Sequence, residues 1–494
     1  MITIGSGRRK ETGDFTGGRT RRNLLKSLKP VLLALSLFLL VPAPAPAPAG
    51  EGPGVEWENT LGWPGYRDRV IALSQAGDGG YVTVVEKRPG VDWRRDTHGT
   101  VSACAIKVDA NGKKVWEKVL AEDCDGVGGA LQTDDGGLII GLTPEFSYRM
   151  ANESSRNITI IKVNPAGDKV WEKTFGGEKD DYMTSMEKTG DGGCLIAGSS
   201  NSFSAGGDYD AYLIRISNSG EKVWEKTFGG AGDDNVQVVR EAGDGGCLMA
   251  GRTCAQRSGD DNIYLVKTDS SGNRVWEKTV GGRGPDFIKE MRPTGDGGWI
   301  LAGTTGSFQG WENIYLFKVD ASGQLAWERS LGGDNHDYGV AVRQTGDGGF
   351  VVLGDTRPFG EGSSARLIKT NALGEKVWER TFEDKEYVWG SHVQQSGDGG
   401  YIIAGGEVDY HDGSNIYIIK TDSDGNRLWK KELGRSIAEP WVFMLPAGGK
   451  GYIITAITNT EERWGDIYMA RLGPEESDQK ETGPPVIKVY LNFS

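Results

Sequence analysis

The stretch WEKTFGGEKDDYMTSMEKTGDGGCLIAGSSNSFSAGGDYDAYLIRISNSGEKV (171–223) decides the fold. It holds four short runs of strand-forming residues, YMTSMEKT, CLIAGSS, AYLIRIS and KVWEKTF, and no sustained helical period. GDGG separates the first two runs, a polar loop the next two, and NSGE the last two. Asp-Gly between apolar runs is a hairpin signal, because glycine supplies the positive φ that such a turn requires. A phosphate-binding loop would need a Lys-Ser/Thr and a following helix, and neither is present.

The same unit is written along most of the chain. Trp recurs at 57, 116, 171, 224, 276, 327, 378 and 429, at steps that settle to 51 residues. GDGG-type turns number eight if GGKG (448–451) is a worn copy, and so do strands of the IYLIKTD type, the last being IYMARLG (467–473). Four strands per unit of about 50 residues is the signature of a propeller blade. The expectation is an all-β, eight-bladed β-propeller over residues 50–472. The last unit lacks a Trp strand, whereas VEWENTLG (55–62) precedes any unit. The N-terminal strand is therefore expected to complete the last blade and close the ring, leaving 473–494 as a tail.

The pattern DGGYIIAG…NIYIIKTDSDGNRLW (398–429) resembles the repeats of secreted bacterial and archaeal β-propellers. VDANGKKVW (108–116) and its relatives resemble the tryptophan-docking motif of the quinoprotein dehydrogenase superfamily, which implies eight blades. The spacing from Asp109 to Gly112 is one residue shorter than in that motif, and the chain lacks the adjacent Cys pair placed there against the quinone. No cofactor is expected. Calcium and pyrroloquinoline quinone (PQQ) are the two that the resemblance leaves open.

Residues 1–49 read as an export signal: a basic region, the apolar run VLLALSLFLLV (31–41) and a small-residue stretch suited to cleavage after Ala49. TRRNLLK (20–26) is compatible with twin-arginine or general secretory export. Eleven apolar residues are too few to span a bilayer, which takes about 20. The chain carries −13, and without residues 1–49 the charge is −19, which argues against a nucleic-acid partner. Five cysteines leave at least one thiol unpaired; Cys194 and Cys247 read as buried hydrophobes, and Cys104–Cys124 is a candidate disulfide. TDSDGN (421–426) reads as a hairpin turn rather than a calcium loop.

Three repeated positions carry further expectations. A basic residue ends every third strand, from Lys107 to Arg471, and should pair with the turn Asp of its own blade. The eight Trp should form a packing girdle between blades. Ten residues before each turn Asp stand Asp68, Asp125, Asp181, Asp234, Asp286, Asp337 and, in the worn unit, Glu439, with Val388 breaking the series. These acids open the innermost strands, either capping the turn there or ringing the channel mouth to bind cations or a basic partner. The variable loops between second and third strands should emerge on the same face, bringing Trp93, Tyr148, Tyr209, Trp311, Phe359, Tyr410 and Trp464 as candidate ligand contacts.

No recurrent His, Cys or Ser constellation is visible. The reading is an exported, monomeric, non-catalytic binding or scaffold protein of the cell envelope, holding a glycan or protein on that face. The alternatives are a quinoprotein-like oxidoreductase and, third, a propeller lyase or hydrolase. Residues 378–447 depart most from the repeat and are where asymmetry is expected.

Overall fold

The computed structural model describes residues 52–474 apart from 64–65, 90–100, 125, 144–155, 205, 255–260, 309–310, 359–361, 410–412, 435–441, 448–450 and 461–462. The leader thus lies outside the described residues, as does the tail beyond residue 474. Every described element is a strand, and the strands form eight four-stranded antiparallel sheets. Blade 3 is representative: Asp181–Lys188, Cys194–Ser200, Asp210–Ile216 and Lys222–Phe228. Blades 1 and 2 occupy 66–124 and 126–175, blades 4 to 7 occupy 234–280, 286–331, 336–382 and 387–433. Blade 8 takes Phe443–Pro446, Tyr452–Thr460 and Arg463–Leu472 from the end of the chain and Val55–Leu61 from its start. The ring closes as the sequence predicts.

First strands touch first strands all the way round, including blade 8 against blade 1, so they line the axis. The core is a set of inter-blade layers. One layer packs Leu248, Leu265 and Val280 of blade 4 against Met291, Trp299 and Phe317 of blade 5.

The turn phrase is legible letter by letter. In blade 5 Gly297 takes φ +79°, and Asp296 Oδ1 accepts from the Gly298 amide at 3.2 Å and from Thr294 Oγ1 at 2.6 Å. A Cβ on Gly298 would stand 2.5 Å from the Val319 carbonyl oxygen. Asp422 likewise accepts from the amides of Asp424 and Asn426 at 2.9 and 2.8 Å, which makes TDSDGN a hairpin turn.

The clamp expected at the other end of the turn is present in seven blades. Lys107–Asp78, Lys162–Asp135, Arg215–Asp191, Lys267–Asp244, Lys318–Asp296, Lys369–Asp347 and Lys420–Asp398 are paired at 2.5–3.0 Å. In blade 8, where Gly449 replaces the Asp, Arg471 turns to Glu56 of the N-terminal strand at 3.0 Å.

The Trp girdle joins blades in a more specific way than core burial. Only Trp429 is fully buried; the others are half-buried, with one ring face against a turn glycine of the next blade. Trp57, Trp224 and Trp327 also donate Nε1–H to Ala110, Ser270 and Ala372 carbonyls at 3.0–3.1 Å. Blade 8 has no turn to offer Trp429, because its third and fourth strands come from opposite ends of the chain. Gly52, at φ +69°, takes that place, 2.9 Å from the indole were it to carry a Cβ.

All five cysteines are free thiols, with Cys104 and Cys124 out of register: Cys104 faces Val119, and Cys124 faces Val101. Cys194 and Cys247 are fully buried, as expected of small hydrophobes.

Candidate functional site

The inner strands of blades 3 to 6 begin at a polar knot. In these blades the entering linker carries Gly-Gly, and an Asp at the first or second residue of the inner strand accepts from the second glycine's amide. Gly177 donates to Asp181 and Gly230 to Asp234, both at 2.8 Å, while Gly282 and Gly333 donate to Asp286 and Asp337 at 3.1 Å. Ser202 and Ser307 add hydroxyls to Asp181 and Asp286 at 2.9 and 2.7 Å. Asp68, Asp181, Asp234, Asp286 and Asp337 are all 3% exposed or less. The described five therefore form no open ring of carboxylates at the mouth, and loop amides hold four of them inward. Asp125 and Glu439 lie outside the described residues. Val388 is buried too, and the charge missing there reappears opposite it in Glu407, paired to Lys430 at 2.7 Å.

A second residue from the start of a third strand stands beside five of the knot acids: Asn157, Asn262 and Asn313, but Asp210 and Asp466 in two blades; Asn415 takes the same place against Gly434. Where acid meets acid, burial and then the neighbouring carboxylates raise the pKa. Asp210 reaches about 6 and Asp68, beside Asp466, about 7.

The knots place the loops where the sequence put them. Asp234 N donates to Tyr209 O and Asp337 N to Glu312 O, so the loops between second and third strands share the face on which inner strands begin. Two aromatics of the expected set are described there. Tyr209 packs on Tyr182 with ring centroids 5.7 Å apart. Trp311, half exposed, lies 4.7 Å from the His336 ring, whose Nδ1 meets the Glu312 carboxylate. Trp464 lies in the third strand of blade 8, its side chain outside the described set, and Trp93, Tyr148, Phe359 and Tyr410 also fall outside it.

What faces the mouth is a different set. Every inner strand from blade 1 to blade 7 has a register shift at its third to sixth residue, a β-bulge on the strand that lines the axis. The bulge residues are Ile71, Gly128, Thr184, Gln237, Lys289, Val340 and Ser391. Two residues earlier, on the same side of the strand, stand Arg69, Gly126, Tyr182, Asn235, Phe287, Tyr338 and Trp389. These positions line two cavities. One, of about 610 Å³, lies across blades 5 to 7 against Phe287, Lys289, Tyr338, Val340, Trp389 and Ser391, with Asp355 and Arg357 from a neighbouring strand. The other, of about 450 Å³, uses the equivalent positions of blades 1 to 4 with Arg88 and the buried Glu86.

The signal for this set was in the repeat: the residue after each knot position, and the one two further on, change identity from blade to blade while Asp recurs at the knot position in six of the eight units. Asp355 stands out in the larger cavity. It is 8% exposed, accepts from the Gly390 amide at 2.7 Å, and burial pushes its pKa up to about 7. Lys289 is open to water, yet desolvation by the surrounding blades, and then Arg69 across the ring, lower its pKa.

Residues 209–444 match the PQQ_2 family model, described as outer membrane protein assembly factor BamB. The matched stretch includes blades 4 to 7 complete, and with the eight-bladed ring it supports the resemblance to quinoprotein-like propellers. No curated protein sequence matches the chain. Among solved structures the chain is similar to Sqt1 from Chaetomium thermophilum at 10% identity, over 85% of this chain and 99% of that one, with TM-score 0.51. A Dyadobacter fermentans protein aligns over the same shares at 10% identity and TM-score 0.44. The Sqt1 likeness shows the propeller fold alone. Among the described residues, no helix is long and apolar enough to cross a membrane.

Proposed function

We propose that this is an exported, non-catalytic binding propeller of the cell envelope, with its ligand seated at the channel mouth on the face that also carries the aromatic loops. The observation that carries the reading is the contrast within each inner strand. The knot that builds the blade repeats, while the two mouth-facing positions beside it vary, which is how a rigid scaffold presents a recognition surface. The basic, apolar-cored leader and the outer-membrane description of the matching family support the envelope location.

The set of candidate contacts shifts accordingly: Tyr209 and Trp311 stand on the rim, while Phe287, Tyr338 and Trp389 form the wall, and the knot aspartates hold the wall in place. A quinoprotein-like oxidoreductase is the alternative, favoured by the family match. Among the described residues the larger cavity offers no thiol, and no group of three metal-ligating side chains occurs, a set that does not fit a calcium–quinone pair.

The test is thermal unfolding of the exported chain against cell-wall oligosaccharides, envelope protein extracts, pyrroloquinoline quinone and calcium with EDTA controls. A ligand of the folded state raises the midpoint by mass action. A shift from a glycan or protein that disappears in Trp389→Ala supports the reading. A shift from the quinone alone puts the oxidoreductase first.

A further inference from the structure

The following inference rests on the channel mouth being a ligand site, and it concerns the ligand's charge. Of the acids that the sequence placed at the mouth, the five described are buried, and four of them accept from loop amides. Of the seven bulge residues on the strands that line the axis, only Lys289 is charged. Arg357 is exposed at the end of its strand, its guanidinium 5.2 Å from the Tyr338 ring centroid. Arg69 approaches from blade 1 closely enough to disfavour the Lys289 ammonium.

Among the described residues lining the cavity, Asp355 is the single carboxylate. It sits behind the wall on the Gly390 amide, and with a pKa of about 7 it carries part of a charge at neutrality. A chain of net charge −13 has thus gathered cations around an apolar, aromatic hollow. A basic rim on an acidic molecule attracts and orients anions, and the low-dielectric wall strengthens the contact.

We propose that this cavity binds a small organic anion, its apolar body against Phe287, Tyr338 and Trp389 and its carboxylate or sulfonate toward Lys289 and Arg357. The hollow of about 610 Å³ is within the range for small ligands. Aromatic faces take the body, and a guanidinium braced on Tyr338 is preset for a carboxylate fork.

A matched pair of fluorescent probes tests it. 8-Anilinonaphthalene-1-sulfonate and N-phenyl-1-naphthylamine share an apolar body and differ by the sulfonate. The proposal expects the anion to bind at least about tenfold more tightly. It expects that advantage to vanish in Lys289→Met/Arg357→Gln while the neutral probe is unaffected. Trp389→Ala should weaken both. Equal binding of the two probes, or an advantage that survives in the double variant, overturns the anion assignment and leaves an apolar binding mouth standing. Failure of both probes to bind overturns the mouth as a ligand site as well. Displacement of the sulfonate probe by hexagalacturonate but not by 1-naphthoate transfers the site to acidic glycans and overturns the small-ligand half.

Discussion

Asp355 and Asp210 show how much one residue type can mean in a repeat. Both are acids whose folded pKa lies above the ordinary 3.8, at about 7 and about 6. A group with a raised folded pKa gives stability that is complete below its unfolded pKa and is lost as pH rises through the folded one. The window is therefore pH 4 to 7. Asp355→Asn keeps an acceptor for Gly390 and removes the titration. It should be the more stable protein at pH 8, by on the order of 2 kcal/mol, and nearly equal at pH 4. Thermal midpoints at the two pH values check it, and an unchanged pH slope would refute it. Asp210→Asn installs the amide found at the equivalent place in four other blades, so above pH 6 it should raise stability by about 1 kcal/mol, read as a higher thermal midpoint. These residues were illegible in the sequence because Asp355 is ordinary in type and position; only the packing of blade 7 against it makes it unusual. The knot series, by contrast, was legible as a period, although its direction was not. Whether a strand-opening Asp points to water or to its own loop depends on the Gly-Gly turn before it, where a Cβ on Gly281 would lie 2.2 Å from Asp286 Oδ2.

Blades are built from pairings that can be measured singly. Lys318 holds the Asp296 carboxylate at 2.6 Å and, as the largest influence, brings its pKa down to about 2. Such a clamp gives stability above about pH 4 that is lost as pH falls toward 2. Asp296 remains mostly solvent-exposed, so a double-mutant cycle of Asp296→Ala and Lys318→Ala should give a coupling of only about 0.5–1 kcal/mol at pH 7. Strictly additive losses in urea unfolding would dissolve the pair. The joint between blades should be worth more. Gly323 takes φ +80° and faces Trp276, where a Cβ would stand 2.5 Å from the ring. Gly323→Ala should therefore cost at least about 1–2 kcal/mol, read as a lower denaturation midpoint. Strand count, turns and clamps were all readable from spacing alone. The β-bulges were not, since a bulge adds a residue without any residue type of its own, and Lys289, in the wall of the larger cavity, is one such residue.

The ring as a whole depends on a seam of one strand. Val55–Leu61 pairs with the third strand of blade 8, and Tyr468 donates to Glu58 at 2.7 Å across 410 residues of chain. A chain lacking residues 1–62 should keep its blades and lose the lock: limited proteolysis would then cut first near blade 8, whereas the intact ring should resist there. Equal cleavage patterns would show the seam to be dispensable. The seam also has a timetable. Among the strands of the ring, the one that closes it is the first to leave the ribosome and its partner the last. At roughly 5–20 residues per second of synthesis, it waits some tens of seconds with its edge bare. During that interval it is a ready template for any other unpaired strand. An escort that holds the young N-terminus, or a delay in ring assembly until synthesis has ended, would decide how much of the protein reaches its closed form.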